Sequence, residues 1–309
     1  MGNFVTAFET VLPLFLVIFA GVLFARTKAS SEEWVEILNK YALWIGFPAL
    51  VIASLMRLEI GNSSYLPLIL TNSGYIVISI LLAFPITKLF RLSTLMKRSL
   101  FLILPFGNVA YLGIPVLRNA RGDEILPVAA IISAVYVFWM LTLALILIEV
   151  YGHHKINTKK LLLSLLKNPL LLSVFAGLAI VLFNISLPAF LEKTIGLFSD
   201  SVTAVVLFSL GIFLGMHHLG NIGEWKQVLV WSVVAMVILP AVFYFFIQFS
   251  PLPGDQLNAS ILDAAMPLGL TPYALSIQYK LKTTLMARIV VLSTLLSMII
   301  IPLWMVILR

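Results

Sequence analysis

Long apolar runs alternate along the chain with short polar connections, and ten such runs can be distinguished. Each run is close to the roughly 20 residues that a helix needs to cross about 30 Å of hydrocarbon. The runs cover residues 4–25, 34–56, 65–88, 98–118, 126–150, 168–184, 194–216, 227–249, 256–279 and 285–308. This pattern predicts an all-α polytopic membrane protein with about ten transmembrane helices. The first run has no Lys or Arg before it and is long enough to span, so we interpret it as a helix and not as a signal peptide.

The composition agrees with this prediction. Of the 309 residues, 61% are hydrophobic and only 11% are charged, whereas a soluble domain carries about 25% charged residues. The absence of cysteine excludes disulfides, thiolate metal sites and a cysteine nucleophile. No His-Glu-x-x-His, Gly-x-Gly-Asp or Gly-x-Ser-x-Gly motif occurs, and the pairs His153-His154 and His217-His218 lack neighbouring ligands at metal spacing. We therefore expect no enzymatic activity, no metal site and no cofactor.

Lysine and arginine are distributed unequally over the connections. Alternate connections put fourteen of the twenty on one side of the membrane and five on the other, while Lys40 lies within the second run. Because cytoplasmic loops are enriched in these residues, the side with fourteen is predicted to be cytoplasmic, with both termini outside the plasma membrane. The net charge of +7 follows from this topology and does not indicate a nucleic-acid partner.

The cytoplasmic connection at residues 151–167 has five runs before it and five after it. Since five is an odd number, the second group begins on the opposite side of the membrane from the first. We therefore predict two inverted repeats of five helices, in residues 1–150 and residues 168–309. Inverted repeats are typical of secondary transporters, which bind their substrate near the middle of the membrane at the repeat interface.

The fourth and ninth runs each contain prolines with glycine between them. These residues are Pro105, Gly107 and Pro115 in the fourth run, and Pro267, Gly269 and Pro272 in the ninth. Proline removes a backbone donor and glycine adds backbone freedom, so both helices are predicted to break within the membrane. Free backbone groups are tolerated there only when they are buried in protein or face a wet cavity. The breaks therefore indicate a transport site, although prolines that only kink two packed helices are the alternative.

At these residues the chain resembles a known family. The segment Asn108-Val-Ala-Tyr-Leu-Gly-Ile-Pro115 is similar to the Asn-x-x-x-x-Gly-Ile-Pro signature of the auxin efflux carrier family, and Ala264–Pro272 looks like the family's ninth helix. Further similarity, in chain order, lies in Leu38–Tyr41, Phe47–Leu50, Lys167–Pro169, Leu207–Gly211 and Arg288–Thr294. The resemblance covers nearly the whole chain and is greatest for prokaryotic-type members.

The resemblance implies ten helices in two inverted repeats, whose broken fourth and ninth helices cross. It also implies elevator-type alternating access and an organic anion as substrate, either auxin-like or a small mono- or dicarboxylate. The long cytoplasmic loop of many plant members is absent, because the connection at 151–167 is short. A sensor or a channel built on the same carrier fold is the alternative to a transporter.

A broken helix offers free N–H groups and the positive end of a helix dipole to a carboxylate. No Lys or Arg lies near the middle of any run, so we expect neutral donors to hold the anion. Candidate substrate-binding residues are Asn108, Tyr111, Gly113, Tyr136 and Thr271. Asn108 could instead bond a freed carbonyl of its own helix, and Tyr111 could serve packing. Tyr136 and Thr271 are suggested by position in the family rather than by chemistry.

Asp263 lies several residues inside the ninth run, just before the break. A carboxylate at that depth is costly and usually functional. The family often has a neutral residue at this position, so Asp263 is a candidate for coupling to H⁺ or Na⁺ in this protein. The alternative is a solvated position beside a wet vestibule. Finally, Gly211-x-x-x-Gly215 would allow close helix packing, either within the chain or in a homodimer.

Overall fold

The computed structural model describes residues 2–56, 65–152, 166–216 and 225–308, together with residues 159 and 163. Both histidine pairs, at 153–154 and 217–218, lie outside these residues, as does most of the connection at 151–167. The prediction that these histidines bind no metal and the predicted cytoplasmic loop therefore rest on the sequence alone.

The described residues are almost entirely helical and contain no β-strand. In chain order the helices are α1 Gly2–Ala25, α2 Glu32–Leu55, α3 Leu66–Leu89, α4 Thr94–Ile103, α5 Ile114–Arg121, α6 Asp123–Val150, α7 Pro169–Leu182, α8 Ala189–Met216, α9 Trp225–Ile247, α10 Gly254–Ala264, α11 Leu270–Gln278 and α12 Thr283–Ile307. Within the described ranges seven of them are long and apolar enough to cross a membrane, which are α1, α2, α3, α6, α8, α9 and α12. The protein is therefore an all-helical, multi-pass membrane protein.

Each of the ten predicted runs falls on helical chain, and the fourth and ninth runs, in which glycine lies between prolines, are interrupted as predicted. The fourth run is divided into α4 and α5, and the ninth into α10 and α11. The number of ten crossings, the inverted relation of the two repeats and the sides of the membrane stay predictions.

Two helices begin earlier than the apolar runs that predict them, because polar residues lie near their first residues. α8 begins at Ala189 rather than at residue 194, and Glu192 lies in its first turn, where a negative charge complements the helix dipole. α4 begins at Thr94 rather than at residue 98, because the Ser93 side chain accepts a hydrogen bond from the Met96 N–H at 3.2 Å. An apolar run underestimates such helices because charged residues, Glu192 and Lys193 in α8 and Lys97 and Arg98 in α4, follow the first residues of the helix.

Wide π-helical turns interrupt four helical segments. They cover Ala42–Gly46 in α2, Val109–Gly113 before α5, Met140–Ala144 in α6 and Val234–Ile238 in α9. Such turns occur frequently at functional sites. The one at Val109–Gly113 is the most informative, because it begins directly after the break in the fourth run.

The described residues fold into two compact units, and the first comprises those within Met1–Ser64, Ala110–Ala134 and Leu165–His218. In this unit α1 packs along α8, and glycines bring the two backbones close together. A Cβ atom on Gly21 would lie 2.9 Å from the Cα of Gly211, and one on Gly215 would lie 2.6 Å from the Cβ of Ala25. The predicted close packing at Gly211-x-x-x-Gly215 thus occurs within the chain. The homodimer stays a prediction, and this motif does not support it.

The same unit contains a small charged cluster at the end of α5. The Arg118 guanidinium is 2.6 Å from the Asp123 carboxylate and 3.4 Å from that of Asp200 on α8. The Asn119 side chain donates to the Thr10 carbonyl of α1 at 3.0 Å. These contacts join α5 to the two long helices of the unit.

The second unit comprises the described residues within Tyr65–Val109, Val135–Ser164 and Leu219–Arg309. The Arg98 guanidinium of α4 donates to the Ile148 carbonyl of α6 at 2.9 Å. The π turn of α9 presents the carbonyl of Met236 to the indole N–H of Trp304 on α12, at 3.1 Å. The break in the ninth run lies in this unit, and so does the break in the fourth run as far as Val109.

Candidate functional site

The two helix breaks meet within the second unit. Gly107 and Leu268 face each other as an isolated antiparallel pair. The Asn108 N–H donates to the Pro267 carbonyl at 2.6 Å, and the Gly269 N–H donates to the Phe106 carbonyl at 3.4 Å. The backbone groups that each broken helix leaves free are thus partly satisfied by the other break, which is the condition for breaking a helix inside a membrane.

A third bond fixes the ninth-run break to a neighbouring helix. The Leu268 N–H donates to the Ser293 hydroxyl of α12 at 3.1 Å, and both residues are buried. Pro105 and Pro267, which lie beside the paired residues, are buried as well. The break is therefore an ordered structure held by α12 rather than a gap between two helices.

Glycine is required at one position of this pairing. A Cβ atom on Gly107 would lie 2.9 Å from the Met266 carbonyl oxygen and 3.3 Å from that of Asp263. Gly269 is less restricted, since its Cβ would lie 3.4 Å from the nearest atoms, which include the ring of Pro272. The close approach of the two backbones therefore depends on Gly107 more than on Gly269.

Asn108 is buried, with 3% of its surface exposed, and it follows the pair directly. Its backbone N–H is bonded to the opposite break, whereas its side-chain amide nitrogen has no hydrogen-bond partner in the described part of the chain. The alternative that this amide nitrogen bonds a freed carbonyl of its own helix is thus absent from the structure. A buried amide donor without a partner costs about 1–3 kcal/mol, so the position is suited to a ligand acceptor.

Asp263 lies in the last turn of α10 and is completely buried. Neither carboxyl oxygen has a hydrogen-bond partner among the described residues. Its backbone carbonyl accepts the Met266 N–H at 3.2 Å, so the residue belongs to the turn that ends the helix. The described contacts therefore place the carboxyl in the protein interior and not at a solvated helix end.

Other buried polar groups of the second unit surround this turn. The Asn72 side chain of α3 donates to the Ser260 hydroxyl at 2.9 Å, while its carbonyl oxygen has no partner. Ser260 is one turn before Asp263 and therefore on the same side of α10. The hydroxyl of Tyr136 on α6 is likewise buried and has no hydrogen-bond partner among the described residues. Unsatisfied buried polar groups are rare, so their concentration here indicates a binding function.

The remaining candidates are placed as follows. Thr271 is exposed in the first turn of α11, and Pro272 is buried beside it. Tyr111, Gly113 and Pro115 belong to the first unit, where the Tyr111 ring packs edge-on against Phe47 at a centroid distance of 5.1 Å. That contact agrees with the packing alternative for Tyr111. Gly113 ends the π turn before α5, and Pro115 lies in the first turn of that helix.

Comparison with known proteins decides the family. A family model described as "Membrane transport protein" matches residues 6–305, which is almost the whole chain. The chain belongs to the auxin efflux carrier family. It is therefore a membrane transporter, as the resemblance of its helix breaks predicts.

Relatives of this transporter occur in archaea, bacteria and plants. An "Uncharacterized transporter" of Methanocaldococcus jannaschii is 25% identical over 303 residues, which cover 96% of this chain and 97% of that protein. A "Putative malonate transporter" of Rhizobium meliloti is 23% identical over 296 residues, 93% of this chain and 91% of that protein. Auxin efflux carrier component 3a of Oryza sativa is 30% identical over 139 residues, 43% of this chain and 22% of that protein. The prokaryotic relatives thus share the full length.

The sequence analysis missed several polar residues of this transporter's second unit. They are Asn72, Tyr75, Ser260, Ser293 and Thr294, all of them buried. Asn72 is the clearest case, because an amide in the middle of an apolar run is costly in lipid and needs a partner. A search for every polar residue within the runs, rather than for charges and helix breakers, would have found them.

Proposed function

We propose that this transporter is a secondary carrier of organic anions, either auxin-like molecules or small mono- and dicarboxylates. We assign to it elevator-type alternating access centred on the breaks of the fourth and ninth runs. One observation carries the proposal: the two breaks satisfy each other's backbone while the buried side-chain amide of Asn108 keeps a free donor. A rigid backbone beside an available donor is what a binding site near the membrane centre requires.

The surroundings of Asn108 favour an anion. α11 begins at Leu270, immediately after Gly269, and a Cβ on Gly269 would lie 3.5 Å from the Cα of Asn108. The N-terminal end of a helix carries partial positive charge and free N–H groups, which attract a carboxylate. Neither break contains Lys or Arg, so the anion would be held by neutral donors and dipoles.

The names of two relatives support the choice of carboxylates. The Rhizobium meliloti relative carries malonate in its name, and the rice relative is named for auxin. Malonate has two carboxylates and auxin has one, so a carboxylate is what the two named compounds share. We assign a carboxylate group to the substrate on this basis and leave the rest of the molecule to experiment.

Uptake measurements test the site. We expect Asn108→Ala to raise the malonate or indole-3-acetate concentration for half-maximal counterflow in proteoliposomes by about 10- to 100-fold, because a hydrogen bond to a charged group is lost. We expect Pro272→Ala to impair transport as well, while insertion into the membrane is kept. Gln278→Ala, which removes an exposed amide at the end of α11, is the matched control.

Three outcomes would contradict this proposal. Unchanged counterflow in both variants would refute the site assignment. Flux that does not saturate, or single-channel currents, would indicate a channel instead of a carrier. Ligand-induced stabilisation of the purified protein without any flux would indicate a sensor.

We further propose that Asp263 couples transport to H⁺ or Na⁺. An ionised carboxylate that is fully buried without a donor is strongly disfavoured unless a cation or a proton neutralises it. The unpaired carbonyl oxygen of Asn72 and the hydroxyl of Tyr136 belong to the same buried polar region and are suitable oxygen ligands. Among the described residues no cluster of three acidic or histidine side chains exists, so a singly charged ion is the better match.

Substitution of Asp263 by asparagine distinguishes coupling to H⁺ from coupling to Na⁺. We expect Asp263→Asn to flatten the pH dependence of uptake if the ion is H⁺, and to remove its dependence on Na⁺, with choline as replacement, if the ion is Na⁺. Asp255→Asn, in the first turn of the same helix, is the control. Unchanged responses to both pH and Na⁺ in Asp263→Asn would refute coupling at this carboxyl.

The proposed orientation is open to a direct test because the chain contains no cysteine. Lys28→Cys and Ser186→Cys would each introduce one exposed thiol in described connections. With both termini outside the plasma membrane, an impermeant thiol reagent applied to intact cells should label Cys at 186 and not at 28. The opposite labelling would reverse the topology.

A further inference from the structure

A cationic cavity opens in the second unit, on elements other than the helix breaks. Its volume is about 470 Å³, and it lies where the chain enters α4, α9 and α12. Among the described residues, three basic side chains line it, which are Arg91, Lys226 and Lys282, and no acidic one does so. None of the three forms an ion pair with any described residue. Three positive charges around one cavity, without an acidic partner in the part of the chain that the structure describes, attract an anion.

Helix ends add to this positive potential. Ser93 caps α4, Lys282 precedes the first residue of α12, and Lys226 is the second residue of α9. The cavity is therefore lined by residues from the N-terminal ends of three helices of ten or more residues. Each helix end contributes partial positive charge, and the effect of this charge is strongest within the first turn of the helix.

Arg91 occupies a left-handed backbone conformation, which it shares with Asn184 and Lys280 among the described residues. Its φ angle is +49°, in the left-handed region that follows the end of α3. The Leu92 N–H bonds back to the Thr87 carbonyl at 2.9 Å, as in a helix-terminating motif that usually has glycine at this position. A side chain at this position costs about 1 kcal/mol relative to glycine, and the turn directs the chain into α4, whose start lines the cavity.

The other wall of the cavity is apolar and exposed. Phe90 and Val230 line the cavity and are 64% and 45% exposed. The adjacent Leu89 and Leu229 are also exposed, with 76% and 48% of their surfaces accessible. Trp231, a residue type enriched at the membrane interface, lies buried at the wall. The ligand should therefore be both anionic and apolar.

We propose that this cavity binds the headgroup of an anionic phospholipid, with the phosphate between Arg91, Lys226 and Lys282. The acyl chains would lie along Phe90 and Val230 in the surrounding bilayer. Basic pockets between transmembrane helices on the cytoplasmic side are typical lipid headgroup sites, and all three basic residues belong to the side that the sequence predicts to be cytoplasmic. A free phosphate would use the three charges but would leave the apolar wall without a function.

Lipid binding to the purified transporter tests the site. Native mass spectrometry in neutral detergent would measure retention of dioleoyl phosphatidylglycerol, with dioleoyl phosphatidylcholine as the zwitterionic comparison. We expect preferential binding of phosphatidylglycerol, and about 25-fold weaker binding in the double variant Lys226→Gln/Lys282→Gln, since each removed charge weakens binding about fivefold. Lys88→Gln/Lys280→Gln removes two exposed charges that do not line the cavity, and it should bind like the wild type.

Arg91→Gly separates lipid binding from stability. Glycine relieves the left-handed backbone, so we expect the lipid-free protein to unfold at a higher temperature while its stabilisation by phosphatidylglycerol falls. A residue with only a structural role would not produce these opposite changes. Raised stability together with undiminished stabilisation by the lipid would remove Arg91 from the site and contradict the proposal.

Two further results would overturn it. Equal loss of lipid binding in the cavity variant and in the Lys88/Lys280 control would show non-specific attraction to surface charge. Competition by glycerol 3-phosphate or inorganic phosphate at concentrations equal to the lipid would show a site for a soluble phosphate. Transport by the cavity variants is a separate measurement, so failure of this proposal leaves the proposed function untouched.

Discussion

Substitution of Gly107 by alanine is the sharpest test of how the two helix breaks are joined. The added Cβ would lie 2.9 Å from the Met266 carbonyl oxygen and 3.1 Å from the Met266 Cβ. Carbon atoms in ordinary contact are about 3.5–4.0 Å apart, so the two backbones must separate by roughly 0.5 Å. The neighbour is largely main chain, which cannot rotate away as a flexible side chain could.

The cost of this separation follows from the two bonds that join the breaks. The Asn108 N–H bond to Pro267 is 2.6 Å long and can lengthen without being lost, whereas the Gly269 N–H bond to Phe106 is already 3.4 Å. Overpacking costs about 1–3 kcal/mol, and the lost bond adds about 1 kcal/mol. Alanine regains about 0.4–1 kcal/mol through the unfolded state. We therefore expect a loss of about 2 kcal/mol in the free energy of unfolding.

Unfolding in mixed micelles with increasing dodecyl sulfate, followed by circular dichroism, would measure this change, and malonate counterflow would report on the site. Gly269→Ala makes only ordinary contacts at 3.4 Å, and Gly74→Ala on α3 has no atom within 4 Å. Both controls should stay within about 0.5 kcal/mol of the wild type or become slightly more stable. If Gly107→Ala matches these controls in both stability and counterflow, the close pairing of the breaks is refuted.

Three further predictions test the packing of the two units. Gly211→Ala should lower the unfolding temperature by an amount equivalent to about 1–3 kcal/mol, because its Cβ would overlap the α1 backbone, while Gly196→Ala in open space on the same helix should not. A double-mutant cycle of Asn72→Ala and Ser260→Ala, read by micellar unfolding, should give a coupling of about 0.5–1.5 kcal/mol for their buried hydrogen bond, and no coupling would contradict the contact. Arg118→Gln should lower stability by only about 0.5–1 kcal/mol and less at high salt, because its carboxylate partners are partly exposed; a salt-independent loss would contradict an ionic role.

The helical class and the two breaks could be predicted because they depend on local chemistry. A run of apolar residues requires lipid around it, and Pro105 with Gly107 ends α4 wherever the helix lies. The same argument predicts the end of α10 before Pro267. These properties need no knowledge of what packs against the segment.

The partners across the chain could not be predicted, because they are separated by many residues. Nothing in the run around Asn72 indicates that its side chain meets Ser260, 188 positions later. The same holds for Asn108: the sequence identifies it as a donor, but only the pairing with Pro267 decides that its backbone is occupied and its side chain is free. Such pairing depends on tertiary packing, which leaves no periodic pattern of residue types in a single sequence.

The glycines of α8 show an intermediate case. The spacing Gly211-x-x-x-Gly215 predicts close helix packing correctly, but it does not name the partner helix or the chain to which it belongs. The structure supplies α1, whose Gly21 faces Gly211. A motif of small residues on one helix does not identify the helix that packs against it. The motif alone was therefore compatible with both an intramolecular contact and a homodimer.

The position of Asp263 explains how a bound ion could influence the substrate without a long pathway. Its carbonyl accepts the Met266 N–H at 3.2 Å and would lie 3.3 Å from a Cβ on Gly107, so the residue belongs to the turn on which the paired breaks rest. A proton or cation at the carboxyl changes the charge inside this turn, where low polarity strengthens electrostatic effects. The adjoining bond from Gly269 is 3.4 Å long and therefore weak. The proposed coupling therefore requires movement only within this turn, which is followed directly by Pro267, the residue whose carbonyl is bonded to the Asn108 N–H.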